Sequence, residues 1–132
     1  MSGSILKFTD SVVTAVTMDR SAVTIRLEPA LIVKSERIPG VDPSTLWRQT
    51  AELVLSGEAE LEGEPAELPL TLAEGSNITV NGTTYVDHCP LPLKTSGFAE
   101  IELKAAGHPM TTARGGRIEL RLIGVGKYIR HL

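Results

Sequence analysis

Apolar and polar residues alternate along most of this chain, and the repeat of two is that of strands. In residues 22–34 the apolar positions Val23, Ile25, Leu27, Leu31 and Val33 share one face. Residues 11–19 carry a similar run, and Asp19-Arg20-Ser21 between them reads as a turn, so the two form a hairpin. Pro29 has no N–H to give to a ladder, which predicts an edge strand, a bulge or, the favoured reading, a bend there, with Ala30 and Ile32 on the exposed face. Asn81-Gly82 is the strongest local signal, because both turn positions of a two-residue hairpin need positive φ and this pair supplies it at low cost. The register that follows sets Val80 opposite Thr83 and Ile78 opposite Tyr85, with Thr79 and Thr84 together on the other face. Towards the C-terminus, residues 98–105 place Ile101 and Leu103 inward, and residues 117–123 do the same for Ile118, Leu120 and Leu122. Gly124-Val125-Gly126 bends the chain, and residues 128–132 resume an extended pattern strapped to the sheet.

Two stretches are less regular. In residues 43–56, Asp42 as N-cap, Pro43 at the first helical position and Gly57 past the end describe a helix. Yet Ala51, Leu53, Leu55, Ala59 and Leu61 alternate with Glu52, Ser56, Glu58, Glu60 and Glu62, which favours a strand. The two patterns are reconciled by a short helical turn over residues 43–47, followed by a strand bulged at Gly57. The segment Pro90-Leu91-Pro92-Leu93 cannot sit in a central ladder, and is expected along an edge with its leucines packed down. The loop 36–43, with Ile38-Pro39-Gly40 and Asp42-Pro43, is expected to cross the barrel or sandwich. About eight to ten short strands result, in one all-β domain spanning residues 1–132: a single antiparallel β-barrel, or else a two-sheet sandwich.

Composition narrows the function classes. With one Trp, two Tyr and two Phe in 132 residues the core must be mostly aliphatic, and each aromatic is first expected to fill it. The chain has a single cysteine, Cys89, which excludes an internal disulfide and points to a reducing cytoplasm. The N-terminal residues carry no secretion-signal pattern, and no apolar run approaches the ~20 residues of a membrane-spanning helix. A net charge of −3 argues against nucleic acid as a partner. Charge is also segregated: every charged residue from Glu52 to Glu74 is a glutamate, whereas from Lys104 onward only Glu119 offsets the cations. The simplest consequence is that these two regions lie side by side, within a sheet or across a dimer.

The residues that could carry chemistry are few. Asp87-His88-Cys89 joins an acid, an imidazole and a thiol, but neighbours on a strand point to opposite faces, so His88 cannot activate Cys89. His88, His108 and His131 are too scattered to specify a metal site, and Glu58, Glu60 and Glu62 read as a solvated row. Trp47 with Arg48 has the character of an interface anchor, since a large aromatic beside a guanidinium is favoured there. The candidate binding residues are therefore Trp47, Arg48, Asp87, His88 and Tyr128; no catalytic residue, metal or cofactor is assigned. The expectation is a non-enzymatic interaction module that contacts a protein partner or a second copy of itself. The alternatives are a carrier of a small apolar ligand and, at lower weight, a metal- or His-dependent enzyme.

Overall fold

The computed structural model describes residues 3–35 and 43–132, and among them there is no helix. One antiparallel sheet of eleven strands curls into a half-barrel, so the all-β architecture expected from the alternation holds. The strands are β1 (Gly3–Lys7), β2 (Val12–Asp19), β3 (Ala22–Ser35), β4 (Ser44–Ser56), β5 (Glu60–Glu62), β6 (Leu70–Thr71), β7 (Asn77–Val80), β8 (Thr83–Val86), β9 (His88–Leu91), β10 (Lys94–Leu103) and β11 (Thr111–His131). The main path runs β6-β2-β3-β4-β11-β10-β7-β8, while β1 joins the far half of β3 and carries β9. The loop 36–42 expected to cross the barrel lies outside the described residues.

The interior is aliphatic, with Leu6, Ile25, Leu27, Leu53, Leu55, Ile78, Ile101 and Ile118 fully or almost fully buried around Phe8. Full burial of such a side chain stabilises the fold by ~1.5–3 kcal/mol, which lets one packed interior hold so many short strands. Phe8 is the aromatic that fills the core as expected, and Tyr85 packs against it half-buried. Phe98 and Tyr128 are exposed instead.

The 81–82 hairpin has the expected register, with Asn81 at φ 49° and Gly82 at φ 85° and the Thr79 and Thr84 hydroxyls 2.8 Å apart. Residues 43–47 form no helical turn; β4 is extended from Ser44, pairing with β3 on one side and β11 on the other. Two flanking strands offer every residue of β4 a ladder, and this outweighs a local N-cap and proline. The bulge at Gly57 is present. Ser56 pairs with Arg117 and Glu60 with Arg114, so the β4–β5 side spends one residue more than β11 over that step.

Pro29 also creates a bulge, with an unexpected effect. Leu27 pairs with Ala51 and Ala30 with Gln49, so β3 inserts one residue and every later side chain changes face. Ala30 and Ile32 are thus buried, not exposed, while Val33 leaves the core. Leu122 differs from expectation as well: it keeps the inward phase of Ile118 and Leu120 but lies 46% exposed, because the sheet has opened by that point.

The acidic middle and basic end do meet. Arg114 on β11 bonds Glu100 at 3.0 Å and reaches Glu60 and Glu62 of β5, each at 3.1 Å, so two of the three expected solvated glutamates are ion-paired. Hydrogen bonds donated to Glu100, then Glu62 and Glu60, hold the guanidinium above its ordinary pKa. Among the described residues no helix is long and apolar enough to cross a membrane.

Candidate functional site

The open end of the half-barrel is built from the distal halves of β3, β4 and β11, together with β1 and β9. Its interior face continues the core outward. Residues 91–93 leave β9, cross this mouth and enter β10, and the Leu93 carbonyl accepts a hydrogen bond from the Leu120 N–H at 2.8 Å. Prolines at 90 and 92 keep this strap extended and out of a central ladder, with Leu91 and Leu93 packed against the core as the pattern predicts. Between strap and sheet lies a groove of about 430 Å³, lined mainly by Ile32, Gln49, Leu91, Leu93, Leu120 and Leu122, with Ser4 and Lys34 at its polar end.

Trp47 and Tyr128 extend the same surface. They are register partners on β4 and β11, and their rings meet edge to face at 5.6 Å. The Lys34 ammonium stands over the indole at 4.2 Å, and the Trp47 Nε1–H donates to Thr45 Oγ1 at 2.8 Å. His131 meets the Tyr128 ring at 5.8 Å. The indole is therefore fixed by a hydrogen bond, a cation and a second ring, while Tyr128 remains 50% exposed. Such a cluster is preorganised and amphipathic.

The five residues singled out by the sequence fall in three places. Trp47 and Tyr128 come together on the interior face. Arg48 follows Trp47 on β4 and so projects to the outer face, where it lines a separate groove with Glu28, Val125 and Lys127. Asp87 and His88 lie at another corner. Asp87 adopts φ 64° between β8 and β9, and its carboxylate accepts from Gly75 N at 2.7 Å and from Thr9 Oγ1 at 3.4 Å. Its main chain bonds Ser76 and Phe8, so the residue clamps the β8–β9 corner to the end of β1. His88 places Nδ1 2.9 Å from the Val86 carbonyl and its ring 5.7 Å from Tyr85.

Cys89 faces the core, and burial pushes its thiol up to about 12. Its Sγ–H points to the Pro90 carbonyl at 3.4 Å. The thiol is thus kept protonated and away from His88, opposite to what a nucleophile requires. Among the described residues no three of His, Cys, Asp and Glu stand together in a way that could hold a metal ion.

Sequence reading did not bring Leu122, Leu93, Ile32 and Lys34 to the site. The hydrophobic pattern assigned Leu122 to the core and Ile32 to solvent, and only the tertiary path of the strap shows that both line a groove. Cations cluster on the outer face beside it. Arg117, Arg121 and Lys94 line a groove of about 600 Å³, and the hydrogen bond from Arg121 to Glu119 holds that carboxyl below its ordinary range. Comparison of the chain with protein-family models, curated proteins and solved structures finds no match.

Proposed function

We propose that this protein is a non-enzymatic interaction module that binds another polypeptide through the open end of its half-barrel. The observation that carries the reading is the half-exposed apolar groove at Leu93 and Leu122, joined to the Trp47–Tyr128 pair by Lys34, which lines the groove and stands over the indole. Half-exposed aliphatic and aromatic side chains in a concave, preorganised setting are what protein contacts use as anchors. Trp47 and Tyr128 are the central contacts, Leu122 and Leu93 supply the floor, and Lys34 orients the indole. Asp87 and His88 have structural roles in this reading. The partner is a second protein or another copy of the chain, and the single buried thiol supports the reducing cytoplasm as its location.

The test uses the intact chain as bait, beside Trp47→Ala and Leu122→Lys. Polypeptides retained by the wild type and lost by both variants, each variant still showing a cooperative melt, are expected. Trp47 is the only tryptophan, so its emission should also shift when a purified partner is added. Identical retention by all three baits would overturn the reading. The aliphatic lining of the groove also favours a second reading, carriage of a small apolar ligand. It predicts a stoichiometric apolar molecule in native mass spectra, lost on delipidation.

A further inference from the structure

The groove is bordered by a strand edge that the sheet does not use. Pairing of β10 with this part of β11 covers Lys94–Glu119, Thr95–Ile118 and Ser96–Arg117 and goes no further. From there β4 continues along one side of β11 as far as the His131–Thr45 pair, while among the described residues no strand pairs with the other side. The Leu120 N–H points to that other side, towards Leu93, and an antiparallel strand repeats this orientation at every second residue. The main chain of Leu122 therefore faces the open edge.

Side chains along this edge are sorted by face. On the interior side stand Leu122, which lines the apolar groove, and Tyr128, against the Trp47 ring; on the outer side stand Arg121 and Lys127, with Arg48 behind them. No acidic residue occurs after Glu119. Among the described residues Arg48, Arg117, Lys127 and Arg130 make no ion pair. Exposed large apolar side chains concentrate here too, with Val125 at 85% and Ile129 at 41%. Natural sheets ordinarily cover, shorten or twist away such an edge.

We infer that the edge of β11 from Leu122 onward accepts a strand from a partner protein, an extended segment with apolar and acidic residues at alternate positions. Its main chain continues the ladder where β10 leaves it. Its apolar side chains enter the groove beside Leu122, and its carboxylates meet the cationic outer face. Charge decides between a partner and a second copy: pairing this edge with itself would align Arg121, Lys127 and Arg130 with the same cations and no acid between them. The inference rests on the interaction-module reading and specifies its partner.

Fluorescence anisotropy of the full chain with two labelled peptides tests it. Each is about eight residues long, an ordinary strand length, one alternating Glu with Val and the other Lys with Val. The Glu peptide is expected to bind at least tenfold tighter. Its affinity should fall several-fold between about 0.1 M and about 1 M salt, as the screening length shrinks from ~10 Å to ~3 Å. Leu122→Pro removes an N–H that the sheet does not use and should weaken binding at least tenfold while the melt is kept. Should that variant fail to fold, Arg121→Glu combined with Lys127→Glu decides, and is expected to reverse the preference. Equal binding of both peptides, no binding, or variants that bind like the wild type would overturn the inference. So would a wild-type dimer dissociated by Leu122→Pro, which would assign the edge to a second copy. If the Glu peptide fails while retention of a partner still depends on Trp47, strand addition falls alone and the module reading stands.

Discussion

Replacing Ser11 by alanine tests how the sheet survives the bulge at Pro29. There β3 exchanges β2 for β1 as its neighbour, and the exchange leaves the Leu31 N–H between two ladders. Ser11 fills the gap. Its Oγ accepts from Leu31 N at 2.9 Å and donates to the Lys7 carbonyl at 2.6 Å, and the residue is fully buried. Serine to alanine removes little volume, so the cost is that of buried main-chain groups left unpaired, ~1–3 kcal/mol for each. The Lys7 carbonyl retains a second lone pair and is the cheaper of the two. The expected loss is therefore about 2–3 kcal/mol, equivalent to roughly 10 °C in Tm for a domain of this size. Urea unfolding should show a lower midpoint with an unchanged slope, and amide exchange should show faster opening at Leu31. Thr84→Ala is the control, since it deletes an exposed hydroxyl pair and should cost less than ~0.5 kcal/mol. Equal effects at the two sites, or a loss below ~1 kcal/mol at Ser11, would refute this account of the junction.

Cys89 should resist thiol reagents in the native state and react at the rate of unfolding, because burial holds its thiol at about 12 against an ordinary value of 9.0. A folded-state value raised in this way means that its contribution to stability is whole below about pH 9 and is lost as pH rises towards 12. Cys89→Ala should flatten the fall in urea midpoint between about pH 8 and about pH 11; an unchanged slope would contradict the burial. Leu53→Ala should cost ~2–5 kcal/mol, whereas Leu122→Ala, on the half-open face, should cost less than ~1 kcal/mol by thermal melt. Similar losses would mean that the groove is closed in solution. Gly63 has φ 69°, and a Cβ there would strike the Met110 carbonyl oxygen, so Gly63→Ala should cost more than ~2 kcal/mol. Gly107→Ala, at φ 76° beside open space, should cost only ~1 kcal/mol, the local backbone penalty.

Local chemistry was legible where a short segment decides its own conformation. Asn81-Gly82 sets its turn and hence the Ile78–Tyr85 register, and Ile101 and Leu103 alternate inward because β10 is regular over that stretch. Gly57 was readable as a bulge and Gly124 as a break in the ladder for a similar reason, each at positive φ. The site was only partly readable. Trp47 and Tyr128 stood out as scarce aromatics, yet their pairing depends on a register shift between Ile123 and Lys127 that no local pattern encodes. Arg48 was grouped with Trp47 because they are adjacent, although the alternation that separates His88 from Cys89 separates this pair as well.

The bulge at Pro29 explains why a period of two, followed in phase from one end, misses the floor of the groove. The extra residue in β3 turns Ile32 inward, beneath the place where Leu93 and Leu122 approach from other strands. Without it Ile32 would face solvent and Val33 would occupy the floor, one residue out of step with the Trp47 that pairs with Ile32. The irregularity of β11 after Ile123 inserts two residues, so Tyr128 keeps the inward phase of Leu122 and is moved along the ladder to stand opposite Trp47 in place of Thr45. The bulge at Pro29 thus leaves the buried half of β3 in its original phase and re-aims the distal half. Sequence position alone does not reveal it, because Pro29 and Gly124 show that the ladder is interrupted but not by how many residues the two sides differ.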